Sequence, residues 1–548
     1  MQEVIFRAGM TAYAARYWLP VTRHAARPER AQADALRRIL TANRATEFGH
    51  AHRFAALRAP REFREQVPVQ EYETLRGYIE KQRCSGVAAL TAEPPLFYAQ
   101  TSGSTGKPKY IPVCASALRI YRAEQALFTY LQYRASPAAF SGKALGIMGA
   151  AVEARLDSGH SVGSVSGRLY ESLPRTVQSR FVVPPSISAI ADYDLKYLTI
   201  LRLALAAPDI TYLGSPNPST FLRLLDILNQ RRDELAHSLE TGSLPELDAI
   251  DSNTRDMVRR RLRPDSVRAA QLRTAAPLTF ARLWPGIRLL TTWTGGSCGI
   301  ALDKLRATLP RETQVMELGY QSTECRGTIA LEAETQGGLP PLHHHFFEFV
   351  RQEHWESGRQ EFVGLEELES GPRYYIVITT VSGLYRYFMN DLVEVAGRYR
   401  NTPLIRFVQK GKGVTNLTGE KLYEAQVIQA VQATARQRGF VPGFFILVAD
   451  EEVSSYHLLL ETDRAMTSSI HDVAADIDRR LGELNVEYQS KRGSGRLAPL
   501  TISLLTEGAG EAYKAACVRA GQREGQFKPA VLQYRKDLAL SFGPYVIE

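Results

Sequence analysis

Residues 100–113 read QTSGSTGKPKYIPV, and the core TSGSTGKPK holds four hydroxyls, two glycines and two lysines in nine positions. The phosphate loop of nucleotide hydrolases needs four residues between its glycines and Ser or Thr after its lysine. Here only Ser104 and Thr105 separate Gly103 from Gly106, and Lys107 is followed by Pro108, which pushes the preceding residue toward extended geometry instead of a helix start. The flanks are apolar, Leu96 to Ala99 before and Tyr110, Ile111 and Val113 after, so the segment reads as strand, glycine-rich loop, strand. Glycines let backbone N–H groups form a concave anion nest, to which Thr101, Ser102, Ser104 and Thr105 add hydroxyls and Lys107 or Lys109 adds charge. That chemistry suits a polyphosphate, although the same composition also makes ordinary surface turns.

The whole chain bounds the reading. Its 548 residues exceed one core and predict at least two domains. With 44% hydrophobic and 23% charged residues the composition is that of a globular protein. The net charge of +9 is mild over this length and comes without a basic run interleaved with aromatics, which disfavours nucleic-acid binding and suits a small anionic substrate. Five cysteines, Cys84, Cys114, Cys298, Cys325 and Cys517, lack metal-like spacing and point to a reducing compartment. The arginine-bearing start has no apolar segment of the secretory kind and is expected to be a first helix. No apolar run approaches the ~20 residues of a membrane span. A cytoplasmic protein without a membrane partner is expected, and a monomer is compatible with these features.

Helical periodicity dominates from about Arg30 to Glu80, after which short strands alternate with helices to about Phe407. Strands are expected at 143–150 and 287–293 and helices at 218–235 and 301–309, an α/β arrangement of several sheets. Beyond the glycine-punctuated KGKGVTNLTGEK, residues 410–421, helices near 423–437, 465–484 and 510–520 interleave with strands at 444–449, 456–461 and 499–505. These make an α+β module of about 130 residues. Residues 1–410 and 411–548 are therefore read as two domains with a hinge near Gly411 to Gly413.

Three further sites carry chemistry. GYQSTE, residues 319–324, follows the extended QVMEL and presents Glu324 beside Ser322, Thr323 and Tyr320; a carboxylate there suits Mg²⁺ on phosphate oxygens, and the ring suits a base or ribose. In GLYRYFMND, residues 383–391, Asp391 is expected at a strand end, where it could accept both ribose hydroxyls. In GQFKP, residues 525–529, Lys528 is a mobile point charge able to reach an anionic transition state if the smaller domain folds over the larger. Each residue alone also fits a solvated turn. The triple histidine at 343–345 is assigned no metal, since neighbouring residues on a strand point to opposite faces and no acidic or cysteine partner has suitable spacing.

The order of these signals resembles the acyl-adenylate-forming superfamily. WPGIRLLTTWTGGS (284–297), YQSTE (320–324), FFEFV (346–350), GLYRYFMNDLVEV (383–395), FVQKGKGVTNLTGEKLYEAQV (407–427), NVEYQSKR (485–492) and GQFKP (525–529) narrow the resemblance to the acyl-acid amido synthetases. That resemblance implies a large multi-sheet N-terminal adenylating domain and a smaller mobile α+β C-terminal domain. It also implies that Thr101, Ser102, Gly103, Ser104, Thr105 and Gly106 embrace the ATP phosphates, with Lys109 nearby. Gly295 and Gly296 would line the adenine pocket, and Tyr320, Gln321, Ser322, Thr323 and Glu324 would contact AMP and magnesium. Asp391 would bind ribose, Lys410 would stand at the hinge-side phosphate contact, and Lys528 would act at the reaction centre.

Departures accompany the resemblance. The 101–106 loop is one residue shorter than in plant members, Asn390 replaces a usual glycine, Lys410 replaces a common arginine, and Phe346-Phe347 lacks a tyrosine often found before the Glu-Phe pair. Asn tolerates left-handed geometry better than most residues, whereas Lys cannot copy the planar fork of Arg. The expected reaction is ATP- and Mg²⁺-dependent activation of a small carboxylic acid as its acyl-adenylate, then transfer to an amine such as an amino acid. Thioester formation with coenzyme A and non-catalytic nucleotide binding stand as alternatives. A phosphate-loop hydrolase or kinase is disfavoured.

Overall fold

The computed structural model describes residues 9–547 apart from 102–108, 275–276, 296–297, 412, 416, 418–419, 421, 451, 463–468, 494–496, 521, 523 and 525–526. Strands Lys143–Gly146, Ile210–Gly214, Leu289–Thr292 and Gln314–Glu317 form a parallel sheet in sequence order. Helical crossovers join them, including Tyr193–Leu205, Ser219–Gln230 and Cys298–Arg306. Leu289–Thr292 is buried throughout, as a parallel strand with both faces covered must be. All four strands end on one side, where the crevice of an open α/β sheet receives ligands.

Beside this sheet lies an antiparallel one, ordered Phe362–Gly364, Phe346–Arg351, Arg373–Thr379, Tyr387–Tyr399 and Thr402–Lys410. A third sheet contains the strand–loop–strand of the opening motif: Pro95–Thr101 pairs antiparallel with Lys109–Cys114, and Thr101 registers with Lys109 at the base of the loop. The apolar faces of these two sheets share a core with the early helices Pro28–Asn43 and Tyr72–Ser85.

After Leu422 the chain builds its own cores on a sheet ordered Thr501–Leu505, Ser455–Thr462, Pro442–Asp450 and Leu532–Tyr534. Alternation along Phe445–Ala449 decides which residue faces which layer. Phe445, Leu447 and Ala449 join helices Glu424–Arg438 and Ile470–Leu484 on one face. Ile446 and Val448 meet helix Ala509–Arg519 and Phe542 on the other. No helix among the described residues is long and apolar enough to cross a membrane.

Three expectations change. The helix read over 218–235 is two, Ser219–Gln230 and Arg232–Thr241, broken at Arg231, which leaves helical geometry (φ −109°) and pairs with Glu234 and Glu246. The apolar pattern hid the break because Leu228 and Leu235 stand one heptad apart. Asp391 does not end a strand: it lies inside Tyr387–Tyr399, just after Asn390, whose φ of 53° marks an irregularity where the pairing skips from Val377↔Phe388 to Tyr375↔Leu392. The triple histidine occupies a turn before Phe346–Arg351, not a strand. His344 Nδ1 and His345 Nε2 converge on the buried Glu124 carboxylate at 3.0 and 3.3 Å. Burial pushes that carboxylate up, but the two histidines outweigh it and hold its pKa at about 2.

A buried ion network ties the early helices to the antiparallel sheet. Glu348 receives Arg386 at 3.1 Å and Arg64 at 3.2 Å, and Arg386 also donates to the Arg64 and Val67 carbonyls at 2.9 and 2.7 Å. Removing one member strands a buried charge, so Glu348→Ala should lower unfolding free energy by about 3–5 kcal/mol. Urea denaturation measures this; a loss below about 1 kcal/mol would mean that the arginines find other acceptors.

Candidate active site

The sequence after Gln314–Glu317 turns sharply at Gly319, whose φ is +91° and whose absent Cβ would meet the Thr328 carbonyl at 2.4 Å. That turn delivers Tyr320, fixed by its N–H to Thr328 Oγ1 at 2.8 Å and by its carbonyl, which accepts from Gly327 N at 2.8 Å. Gly327 leaves space for the ring: a Cβ there would lie 2.2 Å from Tyr320 Cδ1. The Tyr320 hydroxyl donates to Asp391 Oδ2 at 2.7 Å, and the ring stacks on Phe407 with centroids 5.7 Å apart. Burial and the neighbouring carboxylate hold the Tyr320 hydroxyl well above the usual phenol range, so it remains a donor.

Next in the chain, Ser322 Oγ accepts from the N–H groups of Glu324 and Cys325, both at 3.2 Å. The Tyr121 hydroxyl donates to the Glu324 carbonyl at 3.4 Å. The main chain of Glu324 is thus fixed, while its carboxylate makes no hydrogen bond or ion pair with the described residues. Glu324, Ser322 and Thr323 line a cavity of about 2020 Å³ that opens at the carboxyl ends of the parallel strands. Tyr320, Gln321, Asp391 and Gly295 line it too, with Lys109 from the start of its strand and Lys528 from the C-terminal part. Lys109 Nζ stands 5.6 Å from the Tyr72 ring centroid, and Lys410 registers with Asp391 across the antiparallel ladder. Thr101 ends its strand at the loop base. Ser102, Gly103, Ser104, Thr105, Gly106 and Gly296 lie outside the described residues.

Lys528 enters by a short path. Asn217 Nδ2, just past the second parallel strand, donates to the Phe527 carbonyl at 2.5 Å. The next residue places Nζ 4.0 Å from the Trp293 ring centroid and 5.3 Å from that of Phe407. A cation on aromatic faces is attracted by their quadrupoles, so Lys528, Phe407, Tyr320 and Asp391 form one continuous ladder.

Two carboxyls here escaped the sequence reading. Glu317 ends a parallel strand, accepts from Thr294 N at 2.8 Å, from Thr294 Oγ1 and from Gly319 N at 3.2 Å, and so ties two cavity loops together. Glu424 opens a helix and accepts from Val531 N at 2.8 Å. Burial raises the pKa of both, and the charge of Lys528 opposes the rise. The available signal for Glu317 was an acidic residue closing the apolar run Val315-Met316, where strand ends face the crevice. Trp293 and Phe407 stood inside the quoted motifs, but their stacking role needs the fold.

Matches to known proteins agree with this geometry. Residues 21–314, 339–410 and 425–536 match the N-terminal, central and C-terminal domains of the GH3 family. Indole-3-acetic acid-amido synthetase GH3.15 of Arabidopsis thaliana is 26% identical over 67% of this chain and 66% of its own length. The GH3.4 relative from the same plant is 24% identical over 91% of this chain and 88% of its own. The solved acyl acid amido synthetase GH3.15 in complex with 2,4-DB superposes with a TM-score of 0.86 at 22% identity, covering 97% of this chain and 96% of that one. A 2-hydroxyisobutyryl-CoA ligase shares the fold more distantly, at a TM-score of 0.56 and 12% identity over 93% and 90% of the two chains.

The field of Lys528 can be read from Glu317. A raised carboxyl pKa means that the folded chain holds this proton more tightly than the unfolded chain. The resulting stabilisation is full below the unfolded pKa and drains as pH rises through the folded one. Lys528→Ala should move the Glu317 titration to higher pH, because the opposing cation is gone. Carboxyl-carbon NMR checks this, and an unmoved Glu317 signal would place the ammonium elsewhere. With three family domains matched in order along most of its length, this chain belongs to the GH3 family, the acyl-acid amido synthetases.

Proposed function

We propose that this chain uses ATP to convert a small carboxylic acid to its acyl-adenylate and then passes the acyl group to an amine, an amino acid in the first instance. The observation that carries the reading is the convergence of Tyr320, Glu324, Asp391 and Lys528 on one cavity at the carboxyl ends of a parallel sheet. The relatives named as indole-3-acetic acid-amido synthetases support the choice of amide formation. The thioester-forming neighbour is a more distant structural match.

A carboxylate resists amines because it is anionic and lacks a good leaving group. In the first step one of its oxygens attacks the α-phosphorus of ATP, the new O–P bond forms, and the bond to the β-phosphate breaks to release pyrophosphate. The protein positions the groups and offsets charge. In this reading Asp391 accepts the ribose hydroxyls, with Tyr320 holding one of its oxygens. The Tyr320 and Phe407 rings, with Gly295 and Gly296, wall the base. The 101–106 loop and Lys109 hold the phosphates, with Lys410 at the hinge-side contact, and Lys528 opposes the negative charge that develops at the α-phosphorus.

The Glu324 carboxylate, carried on a fixed main chain and unengaged by described residues, is a hard oxygen ligand of the type Mg²⁺ takes. Glu324 would hold that ion, whose chemistry is to neutralise phosphate oxygens. In the second step the amine attacks the acyl carbon, AMP leaves, and the amine proton is lost. Admission of the amine is assigned to movement of residues 411–548 as a domain against 1–410. The five free thiols support a cytoplasmic setting, and we read the chain as a monomer acting on small molecules, without nucleic-acid or membrane partners.

Acid-dependent exchange of labelled pyrophosphate into ATP tests the first step; no exchange with any acid across a broad panel would overturn the reading. Mass analysis of products with amino acids or coenzyme A present separates amide from thioester. Lys528→Ala should slow exchange by about two or more orders of magnitude, in line with losing a group that acts on developing charge, while calorimetric ATP affinity stays near wild type. Asp391→Ala should instead weaken ATP binding in the same calorimetry; equal affinity would remove Asp391 from the nucleotide site.

A further inference from the structure

Buried arginines in this molecule are mostly answered by the protein. Arg386 has Glu348. Arg202 donates to Ser238 Oγ and to the Ser238 and Arg263 carbonyls. Arg268 donates to the carbonyls of Leu205 and Leu283, at or near helix C-termini, where the helix dipole favours a cation. Arg326 shares with Arg202 and Arg268 the lack of a carboxylate within ion-pair distance among the described residues, but it alone of these four, 5% exposed, lies in the cavity wall.

Its partners are neutral, and two of the four contacts are long. Nη1 donates to Gln125 Oε1 at 3.4 Å and Nη2 to the Leu318 carbonyl at 3.3 Å. With the Gln321 amide turned so that its oxygen meets the guanidinium, that oxygen accepts from Nε at 2.9 Å and Nη2 at 2.7 Å. The guanidinium carbon stands 4.5 Å from the Phe128 ring centroid. The carboxylate whose field reaches it, Glu124, is engaged by His344 and His345. A guanidinium is a cation at neutral pH, and Nη1 keeps a second N–H beyond the one given to Gln125.

Around it the cavity runs between helix Ala115–Ala135 and the parallel sheet, where Gln132 bridges the Tyr212 hydroxyl and Thr291 Oγ1, both at 3.0 Å. A buried cation without a counter-ion is costly, and a planar guanidinium is shaped to grip a carboxylate by two N–H groups.

We propose that Arg326 anchors a carboxylate that a substrate brings in addition to the one being activated. That group is either a second acid function on the acyl substrate or the α-carboxylate of the amino acid acceptor. The proposal rests on the ligase reading and names the substrate chemistry of that site.

Two assays separate the sources. Pyrophosphate exchange needs no acceptor and compares acids that differ only by a distal carboxylate: benzoate with benzene-1,3- and 1,4-dicarboxylate, and hexanoate with adipate. Amide formation compares alanine with alaninamide. In one of the two assays the wild type should prefer the charged partner by about tenfold or more in kcat/KM, as a site built for a polar group does. Arg326→Met should abolish that preference by raising KM for the charged partner, with the neutral partner left within about threefold. Arg326→Lys, which keeps charge and loses the fork, should retain part of the preference and serves if the methionine variant does not fold. Exchange with neutral and charged acids alike, together with equal use of alanine and alaninamide, overturns this proposal and leaves the ligase reading standing. So does an equal loss for both partners in Arg326→Met, which would make the residue a support for the Gln321 turn. Absence of exchange with every acid overturns the ligase reading and this proposal with it.

Discussion

The hydrogen bond between Tyr320 and Asp391 is the constraint on which the site depends. Its two ends belong to different sheets, since Tyr320 follows the last parallel strand and Asp391 lies within the antiparallel sheet. Asp391 is 2% exposed, and a buried carboxylate is tolerated only with strong donors around it; a bond to a charged acceptor contributes about 1.5–3 kcal/mol. The same bond fixes the tyrosine ring, which fixes the stack on Phe407 and the surface over which Lys528 rests. Loss of register between the two sheets would therefore disturb the cavity wall and the cation together.

Electrostatics then works at a finer scale. Lys528 stands among groups of one sign: Glu317 from the parallel sheet and Glu424 from the C-terminal module both feel its charge. Each carboxyl also accepts main-chain N–H groups that hold its own surroundings in place. The ammonium thus lies between a carboxyl at the end of the parallel sheet and one at the start of helix Glu424–Arg438. The Trp293 and Phe407 faces attract the cation through their quadrupoles.

How much of this could be read from the sequence follows from how local each signal is. The strands Pro95–Thr101 and Lys109–Cys114 were legible because apolar runs flank a glycine cluster, whereas their Thr101↔Lys109 register was not. Most of the tail's helices and strands were legible from alternation, as Phe445–Ala449 shows, but the short helix Val486–Gly493 and the edge strand Leu532–Tyr534 were not. Asp391 was identified, but its place inside a strand was missed because the irregularity at Asn390 resides in one backbone angle. Asn tolerates the left-handed geometry that Asn390 adopts better than most residues do. Arg326, Glu317 and the Glu124–histidine group were not legible, because each depends on partners brought together by folding; Gln125 precedes Arg326 by 201 residues.

The crowding at Gly411 reaches beyond its own turn. Its N–H donates to the Asn390 carbonyl at 2.8 Å, and a methyl group on it would sit 2.3 Å from Asn390 Oδ1 and 2.7 Å from Tyr375 Cε1. The left-handed asparagine and the side-chain-free residue therefore form an inseparable couple. In any hybrid that joins the front of this chain to the back of a relative, a seam placed after Gly411 inherits the couple intact. A seam between 390 and 411 takes its halves from different parents, and a bulkier residue on the second half would wedge open the ladder that carries Asp391.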